Sequence, residues 1–248
     1  MSSSSPKKLC LAKAHDYCAT KSPRLTVIFI HGIAADSSSF DGALNYLENL
    51  PTLKDVRFVA YDLLGSGKSS CDDQELNYDF EEQIAALHNS INELNATTPL
   101  VLVGHSMGTF IVTRYADTYK GAIKHLVLIS APIYTEDDLN NPAFDVAIKM
   151  FRDAVSIKNR DVLETKAFNN SITNIVMNKE NYAKLANVQT DATLIYGDMD
   201  KFISVLNYPK MLKKNPDHLV AIRTVGHHGV SREKYVQLAK VLKELIDA

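Results

Sequence analysis

The chain has 248 residues, 46% of them hydrophobic and 23% charged, which suits one large folded α/β domain with an ample core. With 27 basic and 29 acidic residues the net charge is −2, so no electrostatic footprint for nucleic acid or an acidic membrane is visible. Three cysteines (Cys10, Cys18 and Cys71) are too few and too scattered for a disulfide framework, and no run of about 18 apolar residues offers a membrane span.

Residues 1–8 open on Met1-Ser-Ser-Ser-Ser-Pro6, a polar stretch expected to be disordered and lacking the apolar core of a signal peptide. The expectation is a cytoplasmic protein, monomer or homodimer, with neither nucleic acid nor membrane as partner. Residues 9–20 suggest an N-terminal hairpin. Leu25 to Ile30 is apolar throughout, as a strand buried on both faces should be. Strands follow at Val56–Tyr61, Leu100–Val103, Ile123–Ile129, Ala192–Tyr196 and Leu219–Val225. Helical spacing runs between them. Phe80, Ile84, Leu87, Ile91 and Leu94 share one face, and Tyr235, Leu238, Val241, Leu242 and Leu245 another, with Ser231 as N-cap. This alternation predicts a mostly parallel sheet with helices on both faces.

The stretch 131–191 breaks the alternation. Asn141-Pro142 reads as a helix start, and Phe144, Ile148, Phe151 and Val155 follow at helical spacing. Ile172, Ile175, Val176 and Tyr182 mark a further helical face over 172–186. The predicted organisation is therefore a core of 9–130 and 192–248 with a helical cap, 131–191, inserted in the single domain.

Gly104-His-Ser-Met-Gly108 follows a strand and precedes a helical stretch, the context that a G-x-S-x-G nucleophile elbow requires. Small flanking residues let neighbouring backbones approach while the Ser106 hydroxyl projects above the sheet. A serine needs a general base. His227, in Val225-Gly-His-His-Gly229 after the last strand, is the favoured base, with His228 as its competitor. Asp200, in Gly197-Asp-Met-Asp-Lys201, is the favoured acid; Asp198 competes, and Glu136, Asp137 and Asp138 are a weaker option. Ile33, in the loop His31-Gly-Ile-Ala-Ala35, and Met107 are the expected oxyanion donors through their backbone N–H groups. His31 is read as holding its loop. Gly65-Ser-Gly-Lys-Ser69 fails as a phosphate loop, because Asp62 stands where a Walker motif has glycine.

These residues resemble the α/β-hydrolase superfamily, and small serine esterases with a helical cap in particular. The resemblance runs from about residue 24 to the C-terminus. It rests on His31-Gly32, Tyr61-Asp-Leu-Leu-Gly-Ser-Gly-Lys-Ser69, the elbow, Gly197-Asp-Met-Asp200 and Gly226-His227. It implies a carboxylic ester hydrolase acting on a small-molecule ester through Ser106, His227 and Asp200, with no metal or organic cofactor. Gly229-Val-Ser-Arg-Glu233 matches the family's last motif only loosely, which keeps His227 and His228 both in play. Phe144, Ile148 and Phe151 of the cap are the candidates for contact with the substrate. The same catalytic set would serve C–C hydrolysis, amide, thioester or lyase chemistry, and a non-catalytic ligand-binding protein is the rival of a different class.

Overall fold

A computed structural model of the chain describes residues 9–69, 75–121, 123–154, 165–230 and 232–248. Seven strands form one sheet: β1 (Ala12–Tyr17), β2 (Leu25–Ile30), β3 (Val56–Asp62), β4 (Leu100–His105), β5 (Ile123–Ile129), β6 (Ala192–Gly197) and β7 (Leu219–Thr224). Their order is β1-β3-β2-β4-β5-β6-β7, with β1 antiparallel to β3 and the other pairs parallel.

The apolar runs are continuous because each strand serves two cores. Ile28, Ile30, Leu102 and Leu126 face one way, against Ile84 and Leu87 of α2 (Phe80–Glu93) and Phe110 and Ile111 of α3 (Met107–Thr118). Val27, Phe29, Val101 and Val103 face the other, against Leu44 and Leu47 of α1 (Asp41–Glu48) and Leu238 and Leu242 of α9 (Arg232–Asp247). A strand buried on both faces cannot alternate with polar residues.

The N-terminal segment does not form a hairpin. β1 instead crosses to the sheet edge and pairs with β3, its register shifted between Lys13 and His15. Asp16 of β1 is gripped by Arg57 of β3, which donates from Nε and Nη2 at 2.8 Å each. The Arg57 bond holds the Asp16 carboxyl down to about 2. Such a partner, far along the chain, leaves no local turn signal. Residues 1–8 and Ser231 lie outside the described residues. Among the described residues no helix is long and apolar enough to cross a membrane.

Between β5 and β6 run α4 (Glu136–Leu139), α5 (Pro142–Ala154), α6 (Lys166–Ser171) and α7 (Asn181–Ala186). The single face expected over 172–186 is interrupted by a wide π turn at Ile172–Val176, closed by Met177 N–H donating to the Ile172 carbonyl at 2.9 Å. Asn181 donates its side-chain amide to the Ile175 carbonyl at 2.7 Å, which also accepts from Asn178 N–H at 3.3 Å, and so ties the wide turn to α7. α8 (Asn207–Lys214) precedes β7.

The chain steps from β2 outward to β3 and then back across to β4. The loops after β2 and β4 thus diverge from adjacent strands, the crevice where open α/β sheets bind ligands. Phe29 is fully buried between strands and α1, with the Phe40 ring 5.2 Å away. Phe29→Ala is expected to cost about 3–5 kcal/mol by denaturant titration; a loss below about 1 kcal/mol would contradict this packing.

Candidate active site

Ser106 sits between β4 and α3 with φ 52° and ψ −120°, a conformation that L-residues avoid. The surroundings enforce it. Its N–H donates to the Ile129 carbonyl of β5 at 2.9 Å. A Cβ on Gly108 would stand 2.3 Å from the Ile30 carbonyl oxygen, and one on Gly104 would stand 2.6 Å from the Gly108 backbone. Gly32 is as constrained, since its Cβ would stand 2.9 Å from that of Ser106. The glycines therefore let three backbone segments meet beneath the serine.

His228 bridges serine and acid. Its Nε2 lies 2.8 Å from Ser106 Oγ. Its Nδ1 lies 2.9 Å and 3.1 Å from the two oxygens of Asp200. An ionised carboxylate only accepts, so Nδ1 carries the proton and Nε2 is left to accept from the serine hydroxyl. Burial, the largest single influence, would raise the Asp200 carboxyl; the bond from and charge of His228, the Phe202 N–H at 2.9 Å and the charge of Lys234 together overcome it and hold the carboxyl below its ordinary value.

His227 is the residue the structure does not bring in. Its ring is exposed and turned to the Met199 carbonyl, 3.2 Å from Nδ1. The reason is local. Gly226, at φ 139°, is tied to the turn after β6: its carbonyl accepts from Met199 N–H at 3.1 Å and its N–H faces Asp198 Oδ1 at 3.4 Å. The chain leaves that turn only one residue later, so position 228 is the one that crosses to Ser106. Asp198 is turned aside as well, its other oxygen 3.2 Å from Arg223. Asp138 is occupied in a capping box with Thr135 and accepts from Asn207 at 2.7 Å. Glu136 pairs with Lys179 at 2.9 Å.

His31 and Asp62 build the rim. His31 is fully buried; its Nε2 accepts from Leu63 N–H at 3.0 Å, so Nδ1 carries the proton and donates to the Gly32 carbonyl at 2.7 Å. Desolvation keeps this imidazole neutral. Asp62 accepts from Ser37 N–H and Lys68 N–H, both at 2.8 Å. A Cβ on Gly67 would stand 2.4 Å from Asp62 Oδ2, and Ser69 Oγ donates to the Asp62 carbonyl at 2.7 Å. The Asp62…Gly65…Gly67…Ser69 pattern is thus a loop clasp beside the site.

A cavity of about 440 Å³, including its part open to solvent, fronts Ser106 and His228. Ile33, Pro132, Tyr134 and Phe202 border it from the loops above the sheet, and Ile148, Ile172 and Val176 from the segment between β5 and β6. Ile33 therefore stands beside the nucleophile, and Met107 opens α3, whose first N–H groups have no intrahelical partner. Of the cap residues expected to meet substrate, Ile148 lines the cavity. Phe144 does not: it is buried edge-on against Tyr134, ring centres 4.8 Å apart, and braces the wall from behind. The side chain of Phe151 lies outside the described residues. Tyr134 and Phe202 escape sequence reading because neither sits in a periodic pattern. Among the described residues no group of three or more His, Cys, Asp or Glu is arranged to hold a metal ion.

A sequence profile of the alpha/beta hydrolase fold matches residues 26–147. The solved structures that resemble the chain include a carboxylesterase of the thaumarchaeon Nitrososphaera gargenis, with TM-score 0.72, 19% identity and 98% of both chains covered. The thioesterase domain from the curacin biosynthetic pathway has TM-score 0.66 and 20% identity, over 96% of this chain and 99% of that one. The chain has the α/β-hydrolase fold. Within it, a probable lysophospholipase of Arabidopsis thaliana, BODYGUARD 1, is 32% identical over 111 residues. That match covers 44% of this chain and 23% of the relative, so the chain matches about a quarter of its length. In this α/β-hydrolase fold the matched segment, 26–147, carries the elbow, the Gly32 loop and the Asp62 clasp, whereas Asp200 and His228 lie beyond it.

Gly108→Ala is expected to cost about 1–3 kcal/mol, because its new methyl group meets rigid backbone. Thermal denaturation checks the loss, and a melting temperature equal to wild type would contradict the close approach.

Proposed function

We propose that the protein is a serine hydrolase that cleaves small carboxylic esters with neutral, apolar acyl groups. The hydrogen-bonded chain Ser106–His228–Asp200, at 2.8 Å and 2.9 Å, carries this reading. Ser106 Oγ attacks the ester carbonyl while its proton passes to His228 Nε2. Asp200 keeps the imidazole in the required tautomer and stabilises the imidazolium. The carbonyl electron pair moves onto oxygen, where the Ile33 and Met107 N–H groups receive it. As the tetrahedral intermediate collapses, His228 returns the proton to the departing alkoxide, leaving an acyl-enzyme and an alcohol. Water then attacks the acyl carbon with His228 as base, releasing the acid and restoring Ser106.

The cavity supports the substrate class. Its wall is apolar at Ile33, Ile148, Ile172, Val176 and Phe202, and among the described residues that line it only His228 can take up a positive charge. A charged acyl chain would lose its hydration with no partner in return. Residues 131–191 act as a cap whose π turn presents Ile172 and Val176 over the nucleophile.

His228→Gln is expected to lower kcat/KM for p-nitrophenyl butyrate by at least about 10³-fold, and His227→Gln by less than about threefold. The reverse ranking in steady-state assays would return the base to position 227. Asp200→Asn is expected to lower kcat by about 10²–10⁴-fold, and Asp198→Asn to leave it within about threefold. Ser106→Ala is expected to abolish labelling by a fluorophosphonate probe; undiminished labelling of that variant would exclude Ser106 as nucleophile.

A further inference from the structure

Lys234 lies in the first turn of α9, yet none of its surface reaches solvent. Its Nζ donates to Ser130 Oγ at 2.7 Å and to the carbonyls of His227 at 2.6 Å and Gly229 at 2.9 Å. The His228 carbonyl is 3.4 Å away. These partners are neutral. They replace water for the ammonium, and a cation enclosed this fully is an expensive residue to bury. An apolar side chain would occupy the same space at lower cost.

What the ammonium holds explains its presence. The three carbonyls belong to the segment that carries His228. The same His228 carbonyl accepts from His105 Nε2 at 2.9 Å, so the segment is held from two sides. Ser130, at φ 51°, directly follows Ile129, whose carbonyl receives the Ser106 N–H. One buried cation therefore joins the strand end that braces the nucleophile to the loop that delivers the base.

We propose that Lys234 is a positioning residue: its buried ammonium fixes the backbone of His227–Gly229 so that His228 stays in reach of Ser106, and its charge favours the ionised form of Asp200. The proposal rests on reading Ser106, His228 and Asp200 as the catalytic set. Lys234 does not itself line the cavity, and it meets His228 through that residue's backbone carbonyl rather than at the ring.

Its protonation supplies a readout. Burial draws Lys234 down to about 8, against the opposing pull of the Asp200 carboxylate. The ionisable groups facing it are Asp200 from the loop after β6, His105 from β4, and His227 and His228 from the loop it binds; Ser130 of the β5 end carries no charge. Above pH of about 8 the folded protein loses a donor and a charge there. The unfolded chain keeps that proton up to its ordinary value of 10.5. Between the two values the unfolded state binds more protons, so this group makes the fold more stable as pH rises. A residue that only holds the fold together would not lower activity across a range in which its contribution to stability grows.

Steady-state kinetics, fluorophosphonate labelling and thermal melts of wild type, Lys234→Met and Lys234→Arg, from about pH 6 to about pH 10, test this. In wild type, kcat is expected to decline through about pH 8 with KM steady and no parallel loss of melting temperature. At about pH 7, Lys234→Met is expected to lose about 10–100-fold in kcat and in labelling rate, with KM within about twofold and no alkaline decline. Lys234→Arg, which cannot deprotonate in this range, is expected to lack the decline too. A folded Lys234→Met protein with wild-type kcat and labelling would overturn the proposal while leaving the catalytic reading intact. Should Lys234→Met fail to fold, the wild-type profile decides: a kcat flat through about pH 8 in protein that still labels at Ser106 overturns it. A wild type that resists labelling removes the catalytic reading, and the proposal with it.

Discussion

The backbone of Ser106 is held in the left-handed region, and much of the surrounding architecture exists to make that possible. Its N–H is committed to β5, while Gly108 passes under the end of β2 and Gly104 lies against Gly108. Each contact is shorter than a side chain would permit. A strained serine costs of order 1–3 kcal/mol, and two cores, one on each face of the sheet, supply the rigidity that keeps it from relaxing. Relaxation would rotate Oγ away from the 2.8 Å contact with His228. Gly32 adds a second demand, since the loop bearing Ile33 must pass within contact of Ser106 Cβ. The geometry that lets the Ile33 loop approach is the same geometry that holds the Ser106 side chain upright.

Around this strained point the charges are arranged by burial. His105, wholly enclosed beside His228, is pushed down to about 3 by desolvation first and by the neighbouring imidazole second. It is therefore a neutral donor, and its fixed Nε2–H can serve the His228 carbonyl across the working pH range. His31 is neutral for the same reason. Asp200 is the buried anion and Lys234 the buried cation, one behind the ring of His228 and the other beneath its backbone. Among the described residues around it, His228 is the ring that meets both Ser106 and Asp200. That arrangement sets one ring apart from the other histidines nearby, a distinction that their number along the chain does not reveal.

The parallel strands and the long helices can be read directly, since burial on both faces writes itself as apolar runs and helical contact as spacings of three and four. Ser106 and Asp200 are legible because strand–turn context limits where such residues fall. His227 and His228 are not separable in this way. They differ by one residue in a loop whose path depends on hydrogen bonds between Gly226 and the Asp198–Met199 turn, and no periodicity encodes those bonds. The pairing of β1 escapes for a related reason: its partner β3 lies some forty residues away, as the Asp16–Arg57 contact shows. Lys234 looks like a helix-surface residue in the sequence, because its acceptors are backbone carbonyls and carry no sequence identity.

The segment between β5 and β6 is tied closely to the loops that carry Asp200 and His228. Tyr134, just past β5, donates its hydroxyl to the Phe202 carbonyl, and Phe202 is the residue whose N–H binds Asp200. The other face of Tyr134 receives Phe144 of α5 edge-on, while the Phe202 ring stands perpendicular to that of His228, 5.5 Å away. A displacement of α5 would therefore reach Asp200 through one aromatic contact and two hydrogen bonds. Burial raises the Tyr134 hydroxyl well above its ordinary value, so it stays a donor through neutral pH. Ile148, which lines the cavity, lies on the same helix that Phe144 anchors. The shape of the cavity and the placement of Asp200 thus depend on one connected set of contacts, so the packing behind the cavity matters as much to its geometry as the side chains that line it.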